Sequence, residues 1–153
     1  MSVLMDTSHF VSELRRKMRF GEYSREPLTL LRLEWKRDSV QCDWLMRLND
    51  PWDSSLPPHL ARENQTLQAL RDALDLRESI FRCFPAVEYA CLRMFRVAPN
   101  RHLELVMTGT LSRTNEVLHR VTSVAMRARL CGFHFTLAEG ALKSMTPITR
   151  EGC

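Results

Sequence analysis

The sequence predicts one α+β domain with a largely antiparallel five-stranded sheet and helices packed on one of its faces. Three observations predict this class. The chain has 153 residues, which suits a single domain. Several segments alternate apolar and polar residues with the period of two that half-buried strands show. Other segments repeat apolar residues at helical spacing. The expected element order is α-ββ-α-ββ-α-β.

The N-terminal third predicts a helix followed by a β-hairpin. The helix is expected over residues 8–19, where apolar residues recur at helical spacing, and Gly21 follows it as a stop signal. The hairpin is expected over residues 28–47. One face of its first strand carries Leu31, Leu33 and Trp35, and the other carries Arg32, Glu34 and Lys36. A turn at residues 37–39 leads to the return strand.

The middle of the chain predicts a loop and then the longest helix. Three prolines lie close together within residues 49–61, and they predict a proline-rich loop there. The helix is expected over residues 65–84, because leucine and phenylalanine side chains line one side of it. Pro85 lies just past the expected end of this helix.

The C-terminal half predicts a second hairpin, a third helix and a last strand. The hairpin strands are expected over residues 88–97 and 102–111. The helix is expected over residues 114–131, with Gly132 just past its end. The last strand is expected over residues 133–138, and residues 141–153 are expected to form a flexible tail.

A short part of this half resembles the BON module, a small lipid-binding domain. The resemblance covers Leu103–Leu111, the helix after it and Phe133–Leu137. It consists of a glycine in a strand before a helix, which is a common pattern. No function is carried over from it, and no family is recognised.

Composition favours a soluble cytoplasmic protein. The formal net charge is only +4, which does not identify a nucleic-acid binder. The five cysteines include no C-x-x-C pair and are expected to be buried, reduced thiols. No secretory signal and no membrane-spanning stretch is expected.

No residues form a recognisable catalytic, metal or cofactor site. The five glycines make no phosphate-binding loop, and no serine lies in a nucleophile elbow. Glu116 and His119 give half of a di-iron pattern, without the second half. We therefore expect neither a cofactor nor a metal and no intrinsic catalysis. A small enzyme with a cleft that the sequence does not reveal remains an alternative.

The best basic surface in the sequence is a stripe of three arginines. Arg113, Arg120 and Arg127 fall at seven-residue intervals in the expected helix 114–131, so they would share one side of it. Such a stripe could contact a phosphate backbone, which makes a nucleic-acid or phosphate-binding protein an alternative function. The same arginine stems could instead cover the edge of the core.

The favoured function is a protein-interaction or accessory domain that self-associates. One sheet face would be left open by the helices, or covered by a second copy of the chain. Trp52, a large aromatic residue in the proline-rich loop, is a candidate anchor for a protein partner. No membrane partner is expected.

Overall fold

The structure is a computed structural model that describes residues 7–12, 28–47, 55–114 and 121–145. Residues 7–12 are helical and are called α1. The other elements are β1 (Leu30–Lys36), β2 (Ser39–Leu45), α2 (Pro58–Cys83), β3 (Tyr89–Val97), β4 (Leu103–Ser112), α3 (Val124–Cys131), β5 (Phe133–His134), β6 (Leu137–Ala138) and β7 (Ala141–Leu142).

The main sheet confirms the predicted α+β class and is mixed. Its strands follow the order β1-β2-β3-β4-β5, and β6 and β7 form a separate two-stranded sheet. Three neighbouring pairs are antiparallel, whereas β2 and β3 are parallel. The chain leaves β2, passes through α2 and returns to β3, and a helical crossover of this kind joins parallel neighbours. The sheet is therefore not purely antiparallel.

The core lies between the sheet and the helices. Alternate residues of the central strands are fully buried there, and they include Val40, Cys42, Trp44, Ala90, Leu92 and Met94. The residues between them in sequence therefore point to the other face of the sheet. α2 contributes Leu70, Leu76 and Ile80 to the core, and α1 packs on the end of α2 through Phe10 and Phe84, whose ring centroids are 5.5 Å apart.

A buried ion pair joins Arg47, in the segment just after β2, to Asp72 in α2. The Nε atom of Arg47 lies 2.9 Å from Oδ2 of Asp72, and both side chains are almost fully buried. Gln68, one turn earlier in α2, donates a 2.8 Å hydrogen bond to Oδ1 of Asp72. Burial is the main influence on the carboxyl group and raises the pKa of Asp72 to about 6, although Arg47 and Gln68 act to lower it.

The helix boundaries differ from the predictions. α2 begins at Pro58, inside the predicted loop 49–61, because proline is compatible with the first turn of a helix. α3 begins at Val124 rather than at residue 114, and Ser123 caps it by accepting a hydrogen bond from the N–H of Met126. The predicted helix over 8–19 is described only as far as residue 12.

The last predicted strand is divided. Within this segment, Phe133–His134 form β5 and Leu137–Ala138 form β6, two short strands in different sheets. Residues 141 and 142, expected at the start of the flexible tail, form β7 and pair with β6. Residues 146–153 lie outside the described part of the chain. None of the described helices is both long and apolar enough to cross a membrane.

Candidate interaction surface

The strand β1 forms one edge of the main sheet. It pairs with β2 through residues 30–36, and no other strand in the described part of the chain lies on its opposite side. In an antiparallel pair, alternate residues direct their N–H and C=O groups toward the partner. The remaining residues of an edge strand direct theirs outward, where another strand can bind them. β1 therefore offers a backbone surface for pairing.

Two large apolar side chains on β1 are exposed. Leu31 is 40% exposed and Trp35 is 37% exposed, whereas Leu33 between them is partly buried against the core. The pairing with β2 shifts by one residue between Leu30 and Arg32, so Leu31 is the extra residue of a β-bulge. Residues 32–36 pair without interruption.

The other side of β1 is charged. The side chains of Arg32 and Glu34 form an ion pair and are 42% and 44% exposed. Arg32 also donates a 2.8 Å hydrogen bond to Oε1 of Gln41 on β2. These contacts hold both charged groups on one face of the strand while leaving them accessible.

The next two strands anchor this face through a second ion pair. Arg93 on β3 donates two hydrogen bonds to Asp43 on β2, of 3.0 Å from Nε and 2.6 Å from Nη2. The Asp43 carboxylate is almost fully buried, and its hydrogen bonds raise the pKa of Arg93. Because a guanidinium and a carboxylate paired bidentately fix each other's geometry, this ion pair joins β2, the neighbour of β1, to β3.

The sequence did not identify β1 as an edge, although it predicted its alternation. Neither the apolar nor the charged face of a strand shows which neighbours it has in the sheet. The sequence feature that could have indicated an edge strand was the charge on alternate residues up to Lys36. Natural edge strands often carry charged residues, lysine above all.

Arg113, the first residue of the predicted stripe, contacts the protein itself. It lies just after β4, outside α3, and its guanidinium donates to three backbone carbonyl oxygens: 2.8 Å to Val87, 2.7 Å to Phe81 and 2.8 Å to Phe84. Its guanidinium carbon lies 5.0 Å from the centre of the Phe81 ring. Two of these carbonyl groups belong to the end of α2 or the residue after it, so Arg113 caps that helix.

The remaining predicted site residues are not brought together by the described structure. Arg127 lies in α3 and is partly exposed. Arg120 and Trp52 lie outside the described residues, so their predicted binding roles remain predictions. Because α3 begins only at Val124, Arg113 and Arg127 do not share a helix.

Three of the described cysteines are buried away from solvent. Cys42, Cys83 and Cys131 are reduced and buried, as predicted. Burial raises the pKa of Cys42 to about 12 and raises the pKa of Cys131, which lowers the nucleophilicity available at neutral pH. Cys91 is the exception to the prediction of reduced thiols, because it takes part in a disulfide bond.

Within residues 7–12, 28–47, 55–114 and 121–145, no group of three or more His, Cys, Asp or Glu residues is placed to hold a metal ion. Comparison with known proteins gives no match: no family model, no curated protein and no solved structure resembles the chain. Function must therefore be argued from the surface itself.

Proposed function

We propose that the protein is an interaction domain that receives a β-strand from another polypeptide along the edge of β1 that no other described strand covers. The observation that carries this proposal is an edge strand with outward backbone groups, flanked by exposed Leu31 and Trp35. Strand addition of this kind derives affinity from main-chain hydrogen bonds and specificity from alternate side chains. Trp35 is the residue type that most often anchors an interface.

The same strand carries features that restrict which partner can bind. The bulge at Leu31 interrupts regular pairing, and charged residues occupy alternate positions from Arg32 to Lys36. Both features oppose indiscriminate edge-to-edge association. A partner strand must therefore match the charge pattern, which supports a specific interaction rather than aggregation.

We place this interaction in the cytoplasm: three of the four described cysteines, Cys42, Cys83 and Cys131, are reduced, which supports this compartment, whereas the disulfide bond of Cys91 does not. The nucleic-acid alternative has less support. Of its three arginines, Arg113 already donates to three carbonyl oxygens, which leaves its guanidinium little capacity for phosphate.

Selection from a phage-displayed library of random peptides tests the proposal. The immobilised wild-type protein should enrich peptides that bind to it. The same peptides should not bind to the double variant Leu31→Lys/Trp35→Lys. Lysine at these exposed positions adds charge and removes apolar contact area on the outer strand. The matched control is Val97→Lys on β3, where the wild-type side chain is 52% exposed and lies away from β1.

The control variant should bind the selected peptides like the wild type. Far-UV circular dichroism and a thermal melt of each variant establish that it is folded. If no enriched peptide distinguishes the monomeric wild type from the folded double variant, β1 is not a strand-binding edge and the proposal is wrong.

A further inference from the structure

We propose that the strand received by β1 is β1 of a second copy of this chain, paired antiparallel about a two-fold axis at Leu33. This inference rests on the proposed function and names its partner. The two five-stranded sheets would then join into one continuous ten-stranded sheet. The residues of β1 complement one another when the strand is set against a second copy that runs in the opposite direction.

Symmetry restricts the possible registers. A two-fold axis perpendicular to the sheet keeps each face on its own side, so one residue of β1 must lie opposite its own copy. With the axis at Leu33, Arg32 lies opposite the partner's Glu34, and Glu34 lies opposite the partner's Arg32. Two pairs of opposite charge then meet across the interface, on a face where both side chains are exposed.

The neighbouring registers bring like charges together. An axis at Arg32 places that residue opposite its own copy. An axis at Glu34 does the same for the carboxylates and sets Arg32 opposite the partner's Lys36. Like charges directly opposite each other destabilise strand pairing. Charge complementarity therefore favours Leu33 over either neighbour.

The length of the strand favours the same axis. Leu33 is the midpoint of β1, so an axis there sets residues 30–36 of the two copies alongside each other, with regular pairing of residues 32–34 between the two bulges. An axis at Trp35 would also join opposite charges, Glu34 with the partner's Lys36, but it would overlap only residues 34–36 before the turn. The register at Leu33 gives the longer overlap of the two strands.

The exposed apolar residues also match in this register. In this register the bulged Leu31 of each copy comes near the partner's Trp35, so the exposed apolar side chains at the two ends of the strand pair are brought together. Aromatic and aliphatic side chains facing each other across a strand pair stabilise it. Both charge pairs involve residues 32–34, which lie beyond the bulge in the regular part of the strand.

Sedimentation equilibrium of charge-reversal variants tests this register. The wild type should form a dimer. Arg32→Glu sets two carboxylates opposite each other at both symmetric positions, and Glu34→Arg does the same with two guanidinium groups. Each single variant should therefore dimerise at least about 10-fold more weakly than the wild type.

An equimolar mixture of the two single variants should restore association as a heterodimer. One chain then carries glutamate at positions 32 and 34, the other carries arginine at both, and every pair has opposite charges. A general loss of stability in either variant cannot produce this recovery. The register with its axis at Trp35 would leave Lys36 opposite an arginine and would not recover fully. Val97→Lys serves as the control and should dimerise like the wild type.

Three outcomes would overturn the inference: a wild type that stays monomeric at concentrations on the order of millimolar, a dimer that neither reversal weakens, or a mixture that does not recover. A monomer that still binds selected peptides at β1 would retain the proposed function and reject the second copy as partner. A monomer that binds no such peptide would reject both.

Discussion

At the scale of single residues, the arginines of this chain have different roles, and their spacing in the sequence does not distinguish these roles. Arg113 was predicted to be part of a phosphate-binding stripe, yet its guanidinium fits three carbonyl oxygens near the end of α2. Arg32 instead remains 42% exposed beside Glu34. A sequence shows residue type and interval, whereas the role depends on which groups lie within reach in the fold.

The contacts of Arg113 predict a specific loss of stability. Arg113→Lys should lower the free energy of unfolding by about 2 kcal/mol, because an ammonium group cannot reach three carbonyl oxygens in the geometry of the planar guanidinium. Chemical denaturation followed by circular dichroism measures this change. The control is Arg62→Lys, an exposed position in α2 that should change stability little. Equal stability of the two variants would contradict the capping role.

At the scale of elements, the sequence predicted most strands and helices but misplaced the helix ends. The C-terminal end of the helix predicted over residues 65–84 agrees with the end of α2. Its start was missed because Pro57 and Pro58 were interpreted as loop residues. Proline is compatible with the first turn, where its missing N–H is not needed. For α3 the predicted helix began at residue 114, whereas Ser123, which caps the observed helix, marks its actual start.

The end of α3 was predicted correctly, and it depends on Gly132. This residue has φ of 116°, and its N–H bonds to the carbonyl oxygens of Ala128 and Arg129. A Cβ atom there would lie 3.0 Å from Cδ2 of Leu111 and 3.2 Å from the carbonyl oxygen of Thr110. Both the backbone conformation and the close approach to β4 therefore require glycine.

Replacing this glycine should destabilise the protein without changing its surface. Gly132→Ala should lower the free energy of unfolding by about 2 kcal/mol, because it combines backbone strain with crowding against the strand. Urea denaturation measures the change. Met126→Ala in the same helix, where the side chain is 54% exposed, is the control and should have a much smaller effect. A Gly132→Ala variant as stable as this control would show that the helix end tolerates a side chain.

At the scale of the whole molecule, the sequence predicted which segments form the strands of the main sheet, apart from the division of the last one. It did not predict the order and direction in which these strands pair. The hairpins β1–β2 and β3–β4 follow from short turns between alternating segments. The parallel pairing of β2 with β3 has no local signal, because their side chains alternate in the same way in either direction. This pairing places β1 at the edge, so the candidate interaction surface could not be located before the topology was known.

Joining two sheets at β1 has a consequence for the unfolding of the whole molecule. If native chains associate and unfolded chains do not, association stabilises the native state by mass action, and the midpoint of thermal unfolding rises with protein concentration. We expect a rise of about 2 °C for each tenfold increase, since a tenfold change contributes about 0.7 kcal/mol per chain in a dimer of this size.

Differential scanning fluorimetry over a wide concentration range measures this shift of the unfolding midpoint. The folded Leu31→Lys/Trp35→Lys variant should show a constant midpoint, and Val97→Lys should follow the wild type. A wild-type midpoint independent of concentration would show that the native chains remain separate while they unfold, and it would contradict the ten-stranded sheet.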